Sequence, residues 1–231
     1  MKNADQWVHD HRAEWSYKKL IQWVRPGEQV LNLGAGDCRL DLLLKNRMRC
    51  DLIPVDVENH NQTTLPVTLY DGKTLPFPDQ CVDVVLLLWV LHHAEDPAAV
   101  LSEAHRVARR AVIVFEDRNE SVTDRMIFRG FHRFLRWSQG FSLPHHEWTR
   151  DQWSHLATTA GFKTSWEGLI GRQLGPFASC GIGFVWEPIH AQNRANLKTL
   201  TANSFEKRGL EMAVIDPKKK DHMTMVFGGR P

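Results

Sequence analysis

The residues with the clearest capacity for chemistry are a pair of glycines and the acids and histidines that follow them. Val30-Leu31-Asn32-Leu33 is a short apolar run that enters Gly34-Ala35-Gly36-Asp37-Cys38. Lacking a Cβ, Gly34 and Gly36 permit a tight or positive-φ turn whose backbone can touch a ligand. A second apolar run, Asp51 to Val55, ends in Asp56, 20 residues after Gly36. At the carboxyl end of a neighbouring parallel strand such an acid accepts from the ribose hydroxyls of a nucleotide; capping a loop is the plainer use. Further on, Glu116-Asp117 ends another apolar run, and His145-His146 precedes a helix start. Each is a candidate general base for an acceptor with a high-pKa proton, with loop hydrogen bonding as the alternative. No metal is expected at His145-His146, because no further clustered ligands accompany the pair.

These residues must be positioned by a regular framework, and the apolar periodicity supplies one. Ala4 to Val24 has helical spacing, with Trp7, Val8, His11, Trp15, Leu20, Trp23 and Val24 on one face, and Pro26-Gly27 stops it. It predicts either a helix packed at the sheet edge or a lid over the glycine turn. Leu40 to Asn46 reads as a short apolar helix, Leu65 to Tyr70 as a short strand, and Val82 to Leu91 as a fully buried central strand. Asp96 and Pro97 open a helix carrying Val100, Leu101, Ala104, Val107 and Ala108, and Ala111 to Phe115 is the next strand. This alternation predicts a mainly parallel, doubly wound α/β sheet.

The rhythm breaks from Arg118 to Trp148. There Ser121-x-x-Asp124 resembles a capping box, and Gly140 ends the helix it starts. Phe128, Phe131 and Leu135 fall on one side of that helix, and Arg125, Arg129, His132 and Arg136 on another. The basic stripe is a solvated face or a contact for an acidic substrate or lipid headgroups. Thr149 to Gln152 is a second capping box with Trp148 and Trp153 as its hydrophobic staple, and Gly161 ends that helix. Phe162 to Ile170 and Gly181 to Trp186 read as closing strands. The expected division is an N-terminal helical lid (1–29), a core domain (30–188) with a helical insert (118–148), and an extension (189–231) to which no role is assigned.

Composition narrows the function classes. The chain has 231 residues and a formal net charge of +2, so nothing global demands nucleic acid. Cys38, Cys50, Cys81 and Cys180 are scattered without a Cys-x-x-Cys pair, and no signal peptide precedes Trp7; both point to a reduced, cytoplasmic setting. The apolar run from Val84 to Leu91 is far short of the roughly 20 residues a membrane span requires, so no integral membrane association is expected. Nine tryptophans are the one excess. Trp7, Trp15, Trp23, Trp137 and Trp148 lie outside the inferred strands, available to wall a pocket or to pack.

A Gly-x-Gly turn with a downstream acid does not separate nicotinamide, flavin and S-adenosylmethionine users. The third glycine of the dinucleotide fingerprint is absent, with Cys38 or Arg39 in its place, which tilts against a cofactor with a pyrophosphate to cradle. The middle of the chain is more specific. Asp71-Gly72-Lys73-Thr74-Leu75-Pro76-Phe77-Pro78-Asp79-Gln80-Cys81-Val82-Asp83-Val84-Val85, then Val90-Leu91-His92-His93-x-x-Asp96-Pro97, then Leu101-x-Glu103-x-x-Arg106-Val107 closely resembles the type 11 group of class I S-adenosylmethionine-dependent methyltransferases. The resemblance covers roughly Val30 to Glu116.

The resemblance implies a Rossmann-like, seven-stranded sheet with helices on both faces and an antiparallel closing strand. It implies S-adenosylmethionine as cofactor, with Gly34 and Gly36 at its methionine and ribose part and Asp56, with its neighbour Val57, at the ribose. Asp71 and Gly72 would lie at the adenine and Leu88 at the methionine. Asn32 stands where relatives carry an acid, Cys38 replaces a glycine, and Arg109-Arg110-Ala111 replaces a Pro-Gly-Gly turn. The expected activity is methyl transfer to a small molecule, with Glu116, His145 and His146 as candidate bases and Phe128, Phe131, Trp137 and Phe141 walling the acceptor. The same fold also admits an enzyme that cleaves or cyclises S-adenosylmethionine itself, releasing methylthioadenosine, and a cofactor-binding protein without catalysis.

Overall fold

The chain alternates strands and helices, and a computed structural model describes residues 4–139, 146–172 and 180–190. In chain order the elements are α1 (Ala4–Leu20), β1 (Gln29–Leu33), α2 (Arg39–Met48), β2 (Asp51–Asp56), β3 (Thr68–Leu69) and β4 (Val82–Leu88). There follow α3 (Pro97–Val107), β5 (Ala108–Asp117), α4 (Val122–Gln139), α5 (Arg150–Thr159), β6 (Phe162–Arg172) and β7 (Cys180–Pro188). The strands form one seven-stranded sheet in the order β3-β2-β1-β4-β5-β7-β6. Strands β1 to β5 pair in parallel, and β7 runs antiparallel between β5 and β6. The chain steps outward from β1 to β3 and returns on the other side of β1 to β4. That reversal opens a crevice at the carboxyl ends of β1 and β4, where ligands bind in such sheets.

Alternate residues of each central strand feed two cores. Leu31, Leu33, Val85, Leu87, Val112 and Val114 face α3 and α5 through Leu101, Ala104 and Trp153. Val30, Val84, Leu86, Ile113 and Phe115 face α1 and α2 through Leu20, Leu40 and Leu44. Each large apolar side chain so buried stabilises the fold by about 1.5–3 kcal/mol. Trp15 and Trp23 belong to the second face, where Trp23 lies 4.6 Å from Trp166 and Trp15 lies 5.8 Å from Trp89, ring centre to ring centre.

Helix starts follow their capping residues. The Asp96 carboxylate accepts from the backbone N–H groups of Ala98 and Ala99. Thr149 and Gln152 make both bonds of the capping box, with Trp148 and Trp153 4.6 Å apart beside it. Ser121 and Asp124 bond reciprocally, each at 3.0 Å, ahead of α4. Some boundaries differ from expectation. The central strand stops at Leu88, because Trp89 takes a left-handed backbone, φ 58°, and leaves the sheet. The third strand shrinks to Thr68–Leu69, and α1 ends at Leu20 in a turn rather than continuing to Val24. Gly140, Phe141 and His145 lie outside the described residues, as do the side chains of Phe131, His132, Leu135, Arg136 and Trp137, and all of the extension beyond His190.

Candidate functional site

The glycine turn is held by neighbours on both sides. Backbone N–H groups of Gly34 and Ala35 donate to the Val55 carbonyl at 2.8 and 3.1 Å. Gly34 has φ 79°, and a Cβ there would come within 2.3 Å of Val90 Cγ2, so the position demands glycine twice over. Gly36 has φ 56° and nothing within 4 Å of where its Cβ would stand, which leaves its backbone open to the crevice. Its N–H donates to Asp56 Oδ2 at 2.8 Å, and Asp56 Oδ1 accepts from the Val57 N–H at 2.7 Å. Asp56 thus joins the end of β2 to the glycine turn. Cys38 takes the left-handed conformation, φ 59°, at the start of α2, supplying with a thiol residue a backbone shape that glycine usually supplies.

A cleft of about 490 Å³ opens at this point, within the range of small-molecule sites. Asn32, Gly34, Gly36 and Leu88 line it, together with His9, Arg12, Ala13 and Ser16 of α1 and Trp89. The other expected cofactor residues stand farther along the strand ends. Val57 is exposed, 3.6 Å from where a Gly72 Cβ would be. Asp71 accepts from the N–H groups of Lys73 and Thr74, each at 2.8 Å, and these bonds hold its carboxyl below the usual range.

Asp37 lines the cleft, and Asp41 of α2 bonds the lining residue Asn32. Asn32 is buried and donates from Nδ2 to Asp41 Oδ2 at 2.8 Å, while its Oδ1 has no hydrogen-bond partner among the described residues. Asp41 is completely buried in α2, and burial pushes its carboxyl up to about 7 against the pull of the Asn32 bond. Burial, with the charges of Asp41, Asp37 and Asp56 acting the same way, pushes the Cys38 thiol up to about 12. From α1, His9 Nδ1 lies 2.7 Å from Asp37 Oδ2. Arg12 reaches into the cleft with protein around it, which lowers its guanidinium pKa against the charges of Asp37 and Asp117.

A second cluster lies at the carboxyl ends of β4 and β5. Glu116 is fully buried, accepting from the Leu91 N–H at 2.8 Å through Oε1 and from His92 Nδ1 through Oε2. Burial pulls the His92 pKa down, but the charge and hydrogen bond of Glu116 overcome it and leave it raised. His146 donates its backbone N–H to the His92 carbonyl and its ring Nε2 meets the Ala94 carbonyl, both at 2.9 Å. A carbonyl can only accept, so Nε2 carries the proton and Nδ1 is the basic nitrogen of the neutral ring. Neither Glu116 nor His146 is among the residues lining the cleft. On α4, Phe128 is buried 5.8 Å from the His92 ring, and Arg129 pairs with Glu147.

Residues 31–115, which carry the glycine turn, the cleft floor and strands β1 to β5 as far as Phe115, match the family model of a methyltransferase domain, type 11. That match makes them similar to a class I methyltransferase domain, whose cofactor class is S-adenosyl-L-methionine. A demethylmenaquinone methyltransferase of Streptomyces avermitilis is 32% identical to this chain over 92 residues, covering 37% of this chain and 39% of its own length. A ubiquinone/menaquinone biosynthesis C-methyltransferase of Xanthomonas oryzae is 30% identical over 115 residues, covering 43% and 45%. The chain therefore spans less than half the length of these curated relatives. Among solved structures, a chain of the complex between the Haloferax volcanii Trm112 methyltransferase activator and a methyltransferase superposes with a TM-score of 0.60. It shares 17% identity over 82% of this chain and 99% of its own, a likeness of fold.

Three residues of the matched region and its flanking helix escape a reading of the sequence alone. Asp41 sits among leucines, Leu40-Asp41-Leu42-Leu43-Leu44, and an acid inside an apolar helix was the available signal. Trp89 is hidden within an apolar run that looks like uninterrupted strand. Arg12 falls on the polar side of α1 and gives no local sign that it enters a cleft.

Proposed function

We propose that this chain is an S-adenosylmethionine-dependent methyltransferase acting on a small molecule. The observation that carries the reading is the cleft at the β1/β4 switch point, floored by Gly34 and Gly36 within the matched domain. The residues present fit the cofactor. An open backbone at Gly36 allows close approach, and Asn32 Oδ1, without a hydrogen-bond partner among the described residues, offers an acceptor. Asp56 and Val57 would flank the ribose, Asp71 and Gly72 the adenine, and Leu88 the methionine chain. S-adenosylmethionine supplies a methyl group on a sulfonium, already activated for in-line displacement. The protein's task is then alignment and exclusion of water rather than covalent catalysis.

Where the acceptor carries a proton of high pKa, His146 suits the base, because the Ala94 carbonyl fixes its ring with Nδ1 as the acceptor nitrogen. Glu116, with both oxygens held by Leu91 and His92, suits the positioning of that cluster. In this reading α1 acts as a lid, its Arg12 and Ser16 closing one side of the cleft. The curated relatives' names describe methylation of quinone precursors, which supports a small, largely apolar acceptor. Incubation with labelled S-adenosylmethionine and candidate quinone precursors or a metabolite extract should yield S-adenosylhomocysteine and a methylated product. Methylthioadenosine as the sole nucleoside product would replace this reading with cofactor cleavage.

A further inference from the structure

Asn32 and Asp41 form a buried couple at the cleft, which Asn32 lines. The hydrogen bond between them fixes the amide: with Nδ2 donating to Asp41, Oδ1 must point the other way. Asn32 lines the cleft, and its Oδ1 is buried and unpartnered among the described residues. A buried acceptor left without a donor is unfavourable, and a ligand that donates there would relieve it; Asp41 Oδ1 is likewise without a hydrogen-bond partner among the described residues. Asp41 adds charge behind the amide. It is completely buried, and no ion pair involves it among the described residues. A buried carboxylate without a cation is costly.

We propose that Asp41 is a positioning residue which, through Asn32, directs the Asn32 Oδ1 at the ammonium of the cofactor's amino-acid arm and supplies the negative charge that the ammonium requires. The proposal rests on the cofactor reading above. It places at one remove, on α2, the charge that an acid at position 32 would place in direct contact. A neutral donor would satisfy Oδ1 but leave Asp41 uncompensated, whereas an ammonium satisfies both. The surroundings agree. Asp37 in the turn and Asp56 on β2 add negative field, as the Cys38 thiol registers, while among the described residues His9 and Arg12 of α1, His60 of the loop after β2 and Arg39 of α2 are basic groups about the cleft and its turn. Asp37 is already paired with His9 and Arg39, and Arg39 also with Asp10.

The burial of Asp41 holds its carboxyl at about 7, so above that pH it is ionised and below it the charge is lost. Affinity for a ligand with the ammonium should therefore fall as pH drops through neutrality, and affinity for one without it should not follow. The test measures binding of S-adenosylhomocysteine, which has the amino-acid arm, and methylthioadenosine, which lacks it, by titration calorimetry from pH 6 to 8.5. D41N keeps an acceptor for Asn32 but removes the charge; it should weaken S-adenosylhomocysteine about tenfold at pH 8 and flatten its pH dependence, with methylthioadenosine unchanged. The exchanged pair N32D/D41N returns the charge to the couple and should restore S-adenosylhomocysteine binding. Equal loss for both nucleosides in D41N, or no loss for either, overturns the proposal. Should D41N fail to fold, the exchanged pair decides alone: a folded protein that binds methylthioadenosine but not S-adenosylhomocysteine is equally fatal. Wild-type protein that binds neither nucleoside removes the cofactor reading, and this proposal with it.

Discussion

Gly34 and Gly36 differ in what a methyl group would do to them. At Gly34 an added Cβ would lie 2.3 Å from Val90 and on a left-handed backbone, whereas at Gly36 it would meet nothing within 4 Å. Gly34→Ala should therefore destabilise the fold by about 2–5 kcal/mol, from a left-handed strain of about 1–2 kcal/mol and a steric shift of about 1–3. Gly36→Ala should cost only the strain, about 1–2 kcal/mol, while its methyl occupies the ligand's side of the turn. Thermal denaturation and cofactor titration on both variants check this: the first should lose melting temperature, the second mainly affinity. Asp56→Ala removes acceptors for Gly36 and Val57 and should weaken cofactor binding by about 1–3 kcal/mol; unchanged affinity in a folded variant would place the ribose elsewhere. Both glycines and Asp56 were readable in the sequence because backbone freedom and strand-end acids act at short range. Asp41 and Arg12 were not, since their meaning depends on which distant groups the fold brings beside them.

The ends of β4 and β5 are joined by one buried pair, and its consequences belong to those elements. Glu116, near the end of β5, binds the turn after β4 through the Leu91 N–H and His92. The pKa of His92 is raised in the folded protein. A group with a raised folded pKa contributes stability that is fully present below its unfolded value, about 6.5, and lost as pH rises through the folded value. Stability should accordingly decline from about pH 6.5 upward, as followed by urea denaturation. Glu116→Gln should abolish that decline and lower stability at pH 6 by about 3–5 kcal/mol, the penalty for breaking a buried pair. A variant as stable as wild type at pH 6 would show that the pair holds nothing together. The Asp41 window lies lower: its raised carboxyl destabilises the fold progressively between 3.8 and about 7, so the two effects separate on the pH axis. Strand β4 illustrates why element ends were harder to read than elements. Val84 to Leu88 announces a buried strand, but nothing in Trp89-Val90-Leu91 reveals that Trp89 turns left-handed, with φ 58°, while its N–H still meets the Phe115 carbonyl at 2.7 Å.

At the scale of the whole molecule, the alternation of apolar runs with capped helices was enough to predict a doubly wound sheet, because each strand needs cover on both faces. The antiparallel β7 between β5 and β6 came from resemblance, since apolar spacing carries no strand direction. The same architecture makes cofactor choice a global observable. Cofactor seated at the β1/β4 crevice would touch α1, β1, β4 and the glycine turn at once, so its binding energy should appear as stability of the entire fold. A ligand at 100 times its Kd stabilises by about 2.7 kcal/mol, and for a chain of this size each kcal/mol raises Tm by about 2–4 °C. S-adenosylmethionine and S-adenosylhomocysteine at that excess should thus each raise Tm by roughly 5–10 °C. NAD should leave it unchanged, because Cys38, not a third glycine, follows the turn and gives a pyrophosphate less room to approach the backbone. A shift with NAD equal to that with S-adenosylmethionine would make the crevice a general nucleotide site, and the methyl-donor reading of Gly34 and Gly36 would lose its footing.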